Sequence, residues 1–471
     1  MISFARFKIV LIAASCMSLL SPAHGQIGHV IDLGTLGGSA SQANALNDAG
    51  QVVGWAHDTN DVARAFLWDN GVMQDLGTLP GGVIAEARDI NESGRVVGWS
   101  DTTNNAGGTR GFTWDGAVMT ELGTLGGQSS RAYGMNEGGE TVGWAMTNNA
   151  TDPMACLYTA GATTELGRLY PKYSSEAWDV NSKTQVVGES FVFAPDEDWH
   201  AFFWQDTNGN HVSDAGEMIG LGVLGTNGRF SRAYAINDQG IVVGGADVSF
   251  NAPEWVRHAF MIVPENGIYM RDTNGFWANE LLIDLGTLGG KWAEATDINE
   301  RNMIVGYSTT ADGATNAFLW QGGTMANLNS MIPTNSGWVL THAWGINENG
   351  DVAGVGIITG ATHAFLLRFP LSILSLTTER AEWDVTNVIE GATFTQRASR
   401  VEGHIIRWSD PWTPDYSNFV FTVESRGIAP TSTWNAVVPT DQWPTLEHVW
   451  TNDYDAALPG RFFRVRADSV P

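Results

Sequence analysis

Residues 43–55 read ANALNDAGQVVGW, and this skeleton decides the fold because it returns six more times along the chain. Its fixed points are Ala43, Asn47 and Gly54. They recur as Ala87, Asn91 and Gly98; Ala132, Asn136 and Gly143; Ala177, Asn181 and Gly188; Ala233, Asn237 and Gly244; Ala295, Asn299 and Gly306; and Ala343, Asn347 and Gly354. A register held this strictly at periods of about 40 to 50 residues marks a propeller or a solenoid.

Working outward, each copy reads as four short strands, "ANAL", "QVVGW", "RAFLW" and "VMQDLG" in the first, separated by turn residues. The repeated Asn precedes a Gly-containing turn, where its side chain can bond nearby backbone, so its role is structural. Positions four and two before each Asn are small or Asp, which suits an inner strand crowded near an axis. The ends bear on closure. A "DLG" strand, Ile31 to Gly34, precedes the first copy, whereas the last copy stops at "AFLLRF" before Pro370 without a "DLG" of its own. The fold expected is all-β, a seven-bladed β-propeller over residues 26–370 whose N-terminal strand completes the last blade. An open β-solenoid is the alternative, and it would need caps at both ends.

The units "HAFFW" at His200, "HAF" at His258 and "HAFLL" at His363, together with "DLGTLGG" and the Asn-to-"VVG" spacing, resemble the HAF repeat of bacterial extracellular proteins over residues 30–370. The resemblance implies export and a propeller-like β-fold and brings no established activity. The third copy ("MACLY", 154–158) and the seventh ("NLNSMIP", 327–333) depart from the pattern. Beyond Leu371 the repeat vanishes. The segments "FVFTVES", "STWNAVV" and "RFFRVRA" alternate as strands, which predicts a small C-terminal β-sandwich-like domain over 371–471.

The 25 Lys and Arg stand against 51 Asp and Glu, a net charge of −26 that repels phosphate backbones and excludes nucleic acid as a natural partner. Residues 1–25 have the form of a signal peptide: two basic residues, the apolar run "IVLIAASCMSLL", then Pro22, Ala23 and Gly25. A lipoprotein reading at Cys16 is the alternative. No transmembrane segment is expected in the mature chain, so a secreted, cell-surface or periplasmic location follows. Cys156 is then the one cysteine left, and it occupies a slot where other copies carry Phe.

The candidate sites are few. In the fourth copy, Asp206, Asn208, Asn210, Val212, Asp214 and Glu217 stand at positions 1, 3, 5, 7, 9 and 12 of an EF-hand-type loop. That spacing points to Ca2+, although His211 sits where Gly makes the sharp turn and no helices flank the loop. A merely polar surface insertion is the competing reading. Asp272, Asn274 and Glu280 in the fifth copy look like a degenerate version. Trp55, Trp99 and Trp144 form an aromatic arc that either stacks on sugar rings or packs between blades. Asp89, Asp179 and Asp297, two before Asn in alternate copies, read as buried acids bonded to a neighbouring blade's backbone, with a cation in the channel as the alternative, and the three repeated His residues read as structural hydrogen-bonding residues. The repeated "TLGG" lacks the lysine of a phosphate loop, and no GxSxG, HExxH or CxxC is present. The function expected is therefore a non-catalytic extracellular binding or interaction protein whose ligand is a glycan or another protein. The alternative is a secreted glycan-active enzyme, which needs paired carboxylates that do not repeat from copy to copy.

Overall fold

The computed structural model describes residues 28–369 apart from 104–107, 149–151, 160, 172, 193–197, 211–212, 215, 226–227, 252–253 and 265–281; beyond 371 it describes the backbone of the strands alone. The signal-peptide segment, Cys16, His211, Val212 and the degenerate loop with Asp272, Asn274 and Glu280 lie outside the described residues. The chain is all-β. The first unit comprises strands Gly37–Leu46, Val52–Asp58, Ala63–Asp69 and Val72–Asp75, paired antiparallel in sequence order. Residues 85–121, 126–167, 175–222, 231–286 and 289–327 repeat that four-stranded plan. The last unit supplies Trp338–Ile346, Val352–Ile358 and Ala361–Arg368, and His29–Gly34 pairs antiparallel with the last of these, Ile31 opposite Leu366. Among the described residues no helix is long and apolar enough to cross a membrane.

The repeated residues are fixed by packing between strands and units. A Cβ placed on Gly54 would collide with the carbonyl oxygen of Gln42 on the neighbouring strand, and Gly98 meets the Glu86 carbonyl in the same way. Each repeated Ala is fully buried. The third-strand Phe66, Phe112, Phe202, Phe260, Phe318 and Phe365 are fully buried as well. Cys156 takes their place in the third unit, where burial pushes its thiol up to about 12 and leaves it unreactive. The "NLNSMIP" departure forms a short 3-10 turn, Leu328–Met331, capped by the Asn327 side chain.

The repeated Asn does more than shape its turn. Asn47 Oδ1 accepts the Gln51 N–H at 3.0 Å within the turn. Its Nδ2 donates to the Asn91 carbonyl of the next unit at 3.2 Å. The same reach joins Asn136 to Asn181, Asn181 to Asn237, Asn237 to Asn299, Asn299 to Asn347 and, 300 residues back, Asn347 to Asn47. One place further on, acidic side chains accept the backbone N–H of the preceding unit, and this ladder also returns from Glu348 N to Asp48 Oδ1 at 2.8 Å. Asp89, Asp179 and Asp297 each accept two backbone N–H groups, one from their own strand and one from the next unit, at 2.7–2.8 Å. In several units a basic side chain at the "HAF" position faces an acid of the fourth strand: His258 lies 2.9 Å from Asp284 and His363 2.9 Å from Asp32, as Arg64 pairs with Asp75 and Arg110 with Glu121 elsewhere.

One local feature departs from the simple alternation expected of the first strand. In every unit the register with the second strand shifts between the Ala and the residue two before Asn. Such a bulge leaves the residue three before Asn unpaired and re-aims it. The Ala is consequently buried between strands in the core, and the next two residues face the centre. Past 371, the strands Ser372–Ile389 and Ala392–Ser409 form a long hairpin that pairs with Val449–Asn452. Asn435–Ala436, Phe419–Arg426 and Phe462–Ser469 form a second three-stranded sheet.

Candidate functional site

The seven bulges converge on one cavity of about 110 Å³. It is lined by the bulged residues, Asn44, Arg88, Tyr133, Trp178, Tyr234, Thr296 and Trp344, and by Asp89, Asp179 and Asp297 among small residues. The structural positions repeat faithfully while these lining positions do not. Two further columns stand beside them: the residue five before each Asn and the residue directly opposite it on the second strand. They pair Gln42 with Trp55, Glu86 with Trp99, Arg131 with Trp144, Glu176 with Glu189, Arg232 with Gly245, Glu294 with Tyr307 and His342 with Val355.

Around this mouth runs a network of charge and aromatic contacts crossing from unit to unit. Arg232 Nε donates to Glu189 at 2.7 Å and its Nη1 to the Tyr234 hydroxyl at 3.0 Å. The hydroxyls of Tyr234 and Tyr307 both donate to Glu294 at 2.7 Å, and Arg257 joins Glu294 to Asp247 at 3.1 and 3.0 Å. Tyr133 stacks on Trp178 with ring centres 4.4 Å apart, and the Arg88 guanidinium lies over both rings while holding Glu86 at 2.9 Å. His342 stacks parallel to Trp344.

Burial sets the protonation of the acids. Removal from water, with the charge of Asp179 nearby, pushes Asp89 up to about 7; burial pushes Asp179 up to about 6 and raises Asp297 well above the carboxylate range. Burial and the opposing Glu189 push Glu176 up to about 7. Burial holds the His342 imidazole below its usual value, which favours the neutral ring.

The aromatic arc is engaged with the protein itself. Arg131 lies 4.1 Å from the Trp99 ring centre, Trp144 Nε1 donates to the Tyr133 hydroxyl at 2.9 Å, and Trp55 tilts against His57 at 5.1 Å. The calcium-type loop joins the third and fourth strands of its unit. Asp206 Oδ1 accepts the Gly209 N–H at 2.7 Å, and Asp214 Oδ2 accepts both the Asn208 and Asn210 side-chain amides at 2.7 Å. Buried Glu217 closes the loop by accepting the N–H groups of Thr207 and Asp214 at 3.1 and 2.9 Å. The spacing thus brings the side chains of positions 1, 3, 5, 9 and 12 into one oxygen-rich turn, which fits a hard cation if the two amides rotate to present oxygen. Among the described residues no group of three or more His, Cys, Asp and Glu side chains gathers as a metal centre.

The sequence reading passed over Glu86, Arg88, Arg131, Tyr133, Glu176, Trp178, Arg232, Tyr234 and Glu294. The signal for them was present: with the copies aligned on Asn, these columns change in charge and aromaticity while their neighbours hold still.

A family model described as a protein of unknown function (DUF3466) matches residues 161–366. No curated protein matches the chain. Among solved structures, a puromycin hydrolase is similar at 12% identity, covering 80% of this chain and 59% of that one with a TM-score of 0.44. The extracellular domain of a one component system from B. thetaiotaomicron is similar at 10% identity, covering 93% of this chain and 53% of that one with a TM-score of 0.39. The Trypanosoma rangeli sialidase is similar at 9% identity, covering 94% of this chain and 87% of that one with a TM-score of 0.34. The chain therefore spans between half and two thirds of the first two structures, and these low similarities carry no argument about activity.

Proposed function

We propose that the protein is an exported, seven-bladed β-propeller that binds a small ligand at the mouth of its central cavity and performs no chemistry. Support for the ring comes from the two hydrogen-bond ladders that run from unit to unit and return to the first. The single observation that carries the function is the contrast between constant structural columns and the varied charged and aromatic columns that face one cavity. The residues that line the cavity differ from unit to unit in charge and aromaticity, and they are joined to side chains of neighbouring units by hydrogen bonds and ring contacts. The test is a glycan and small-molecule binding screen on the chain from residue 26. Trp178→Ala is expected to weaken the retained ligand by at least tenfold while the melting temperature moves by a few degrees at most. Ligand retention indifferent to Trp178 would move the site elsewhere.

A second reading, a glycan-active enzyme, is favoured by one observation: Glu176 and Glu189 oppose each other and do not recur in other units. Reproducible cleavage of any polysaccharide in a broad panel, abolished by Glu189→Gln, would establish it in place of the binding reading.

The fourth-unit loop is read as a weak calcium site, at about 10⁻⁴ to 10⁻³ M, the range of extracellular modules. Calcium at 5 mM is expected to raise the melting temperature of the wild type by linkage. Asp206→Ala should remove that increment in calorimetry, and equal calcium responses in both proteins would leave the loop as a polar insertion.

A further inference from the structure

The fourth unit departs from its neighbours at the rim, the end where each first strand begins and each second strand turns back. In the second, fifth and sixth units the residue three after the repeated Gly ties down the segment leading into the first strand. Asp101 accepts the Val83 and Ile84 N–H groups at 2.7 and 2.8 Å, Asp247 those of Arg229 and Phe230 at 3.4 and 3.2 Å, and Thr309 those of Lys291 and Trp292 at 3.0 Å. In the fourth unit that place holds Phe191, whose ring lies 5.1 Å from Tyr173 on the incoming segment. Two more rings join them. Tyr170 follows the rim leucine, where Gly37, Gly126, Gly225 and Gly289 stand elsewhere, and Trp199 stands at the start of the third strand, where other units carry Ala63, Thr109 and Thr315.

The four rings form one continuous wall. Tyr170 lies 5.8 Å from Tyr173, and Phe191 lies 5.9 Å from Trp199, each contact along the row being tilted or edge-on. All four side chains are partly exposed, Tyr170 by 43%. Packing of Phe191 on Tyr173 is enough to replace the polar tie, because the Phe191 N–H also bonds the Ser174 carbonyl at 2.9 Å. Tyr170 and Trp199 exceed that structural need and leave aromatic surface in water. Strand alternation puts Phe191 on the same face as Glu189, two residues earlier, so the wall rises beside the mouth.

The wall is aromatic without being aliphatic. Among the described residues the fourth unit exposes no large aliphatic side chain, whereas Val83 and Ile84 in the second unit and Val339 and Ile357 in the seventh are exposed. A narrow row of ring surface fits the C–H face of a pyranose, whose hydroxyls stay in water at its edge; a protein partner calls for a broader apolar patch. The net charge of −26 repels acidic polysaccharides. We propose that the rim of the fourth unit, through Tyr170, Tyr173, Phe191 and Trp199, is a stacking platform for the sugar rings of an uncharged polysaccharide, a binding site outside the central cavity.

Isothermal titration of the chain from residue 26 with neutral hexasaccharides of glucose, mannose, xylose and N-acetylglucosamine, and with a galacturonic acid hexamer, tests this. At least one neutral hexasaccharide is expected to bind. Trp199→Ala should weaken it about tenfold, while Trp199→Phe, which keeps a ring, retains most of the affinity. Tyr170→Ala, at an exposed position, should weaken it as well and leave the melting temperature unchanged. Sensitivity to Trp199→Ala and Tyr170→Ala with indifference to Trp178→Ala upholds the wall as a site of its own. No binding by any neutral member, or preference for the galacturonic acid hexamer, overturns the inference. Binding that survives both Trp199→Ala and Tyr170→Ala overturns it too, and if that binding is lost in Trp178→Ala the sugar belongs to the mouth.

Discussion

A chain lacking residues 26–34 is expected to lose its single cooperative unfolding transition and to aggregate at concentrations where the intact chain stays in solution. The strand His29–Gly34 is the fourth strand of the last unit, and among the described residues only a single bridge, Ala40 to Thr362, otherwise pairs with that edge of Ala361–Arg368. Its removal strips buried Leu33 from the core it shares with Phe66, Ala364 and Leu366, along with the packing of Ile31. It also frees the Ser41 hydroxyl that now donates to the Gly34 carbonyl while accepting the Ala364 N–H. Burial of two or three aliphatic side chains at about 1.5–3 kcal/mol each, plus a row of hydrogen bonds, approaches the whole stability of an ordinary domain. The exposed edge then offers a template to other chains. Calorimetry and light scattering on the truncated chain check this. Adding a synthetic peptide of residues 26–36 should restore part of the transition by strand addition. An unchanged sharp transition without the strand would show that the fold does not depend on it.

The second large effect is on pH. Stability should fall steeply as pH rises from about 4.5 to 7.5, opposite to proteins held by ionised surface carboxylates. Asp89 is pushed up to about 7, Asp179 up to about 6, and Asp297 well above its ordinary value, all by burial first. The folded state therefore holds more protons than the unfolded chain between about pH 4 and pH 7. Under linkage, unfolding free energy decreases with pH wherever the native state binds the extra protons. It levels off above the folded values, where both states are ionised. Urea titrations at intervals across this range measure the slope, and Asp89→Asn should flatten it. A profile that rises from pH 4.5 to 7.5 would mean that the paired backbone donors hold these acids ionised throughout.

Both predictions come from features of different legibility. The seven-copy register, the four-strand plan and the orphan "DLG" segment were readable in the chain because each is local: hydrophobic alternation, turn residues and a count of strands need no knowledge of neighbours. The Asn column was recognisable as structural for the same reason, since a residue that recurs at one place in every copy answers a requirement that every copy shares. The bulge before each Asn was not readable. It belongs to the register between two strands, and a period-two pattern assigns the residue three before Asn to the wrong face. That one shift moved Arg88, Tyr133, Trp178 and Tyr234 from anonymous strand positions to the wall of a cavity. It also left the aromatic arc of Trp55, Trp99 and Trp144 packed against Arg131, Tyr133 and His57. The pairing of Arg232 with Glu189 spans 43 residues and that of Tyr234 with Glu294 spans 60. No spacing within a copy encodes either contact, because what brings them together is the placement of one unit beside the next. The sequence by itself thus determined what repeats, through local chemistry repeated seven times. Only the tertiary structure decided which of the non-repeating side chains meet, since their distances depend on how whole sheets are set around a common centre.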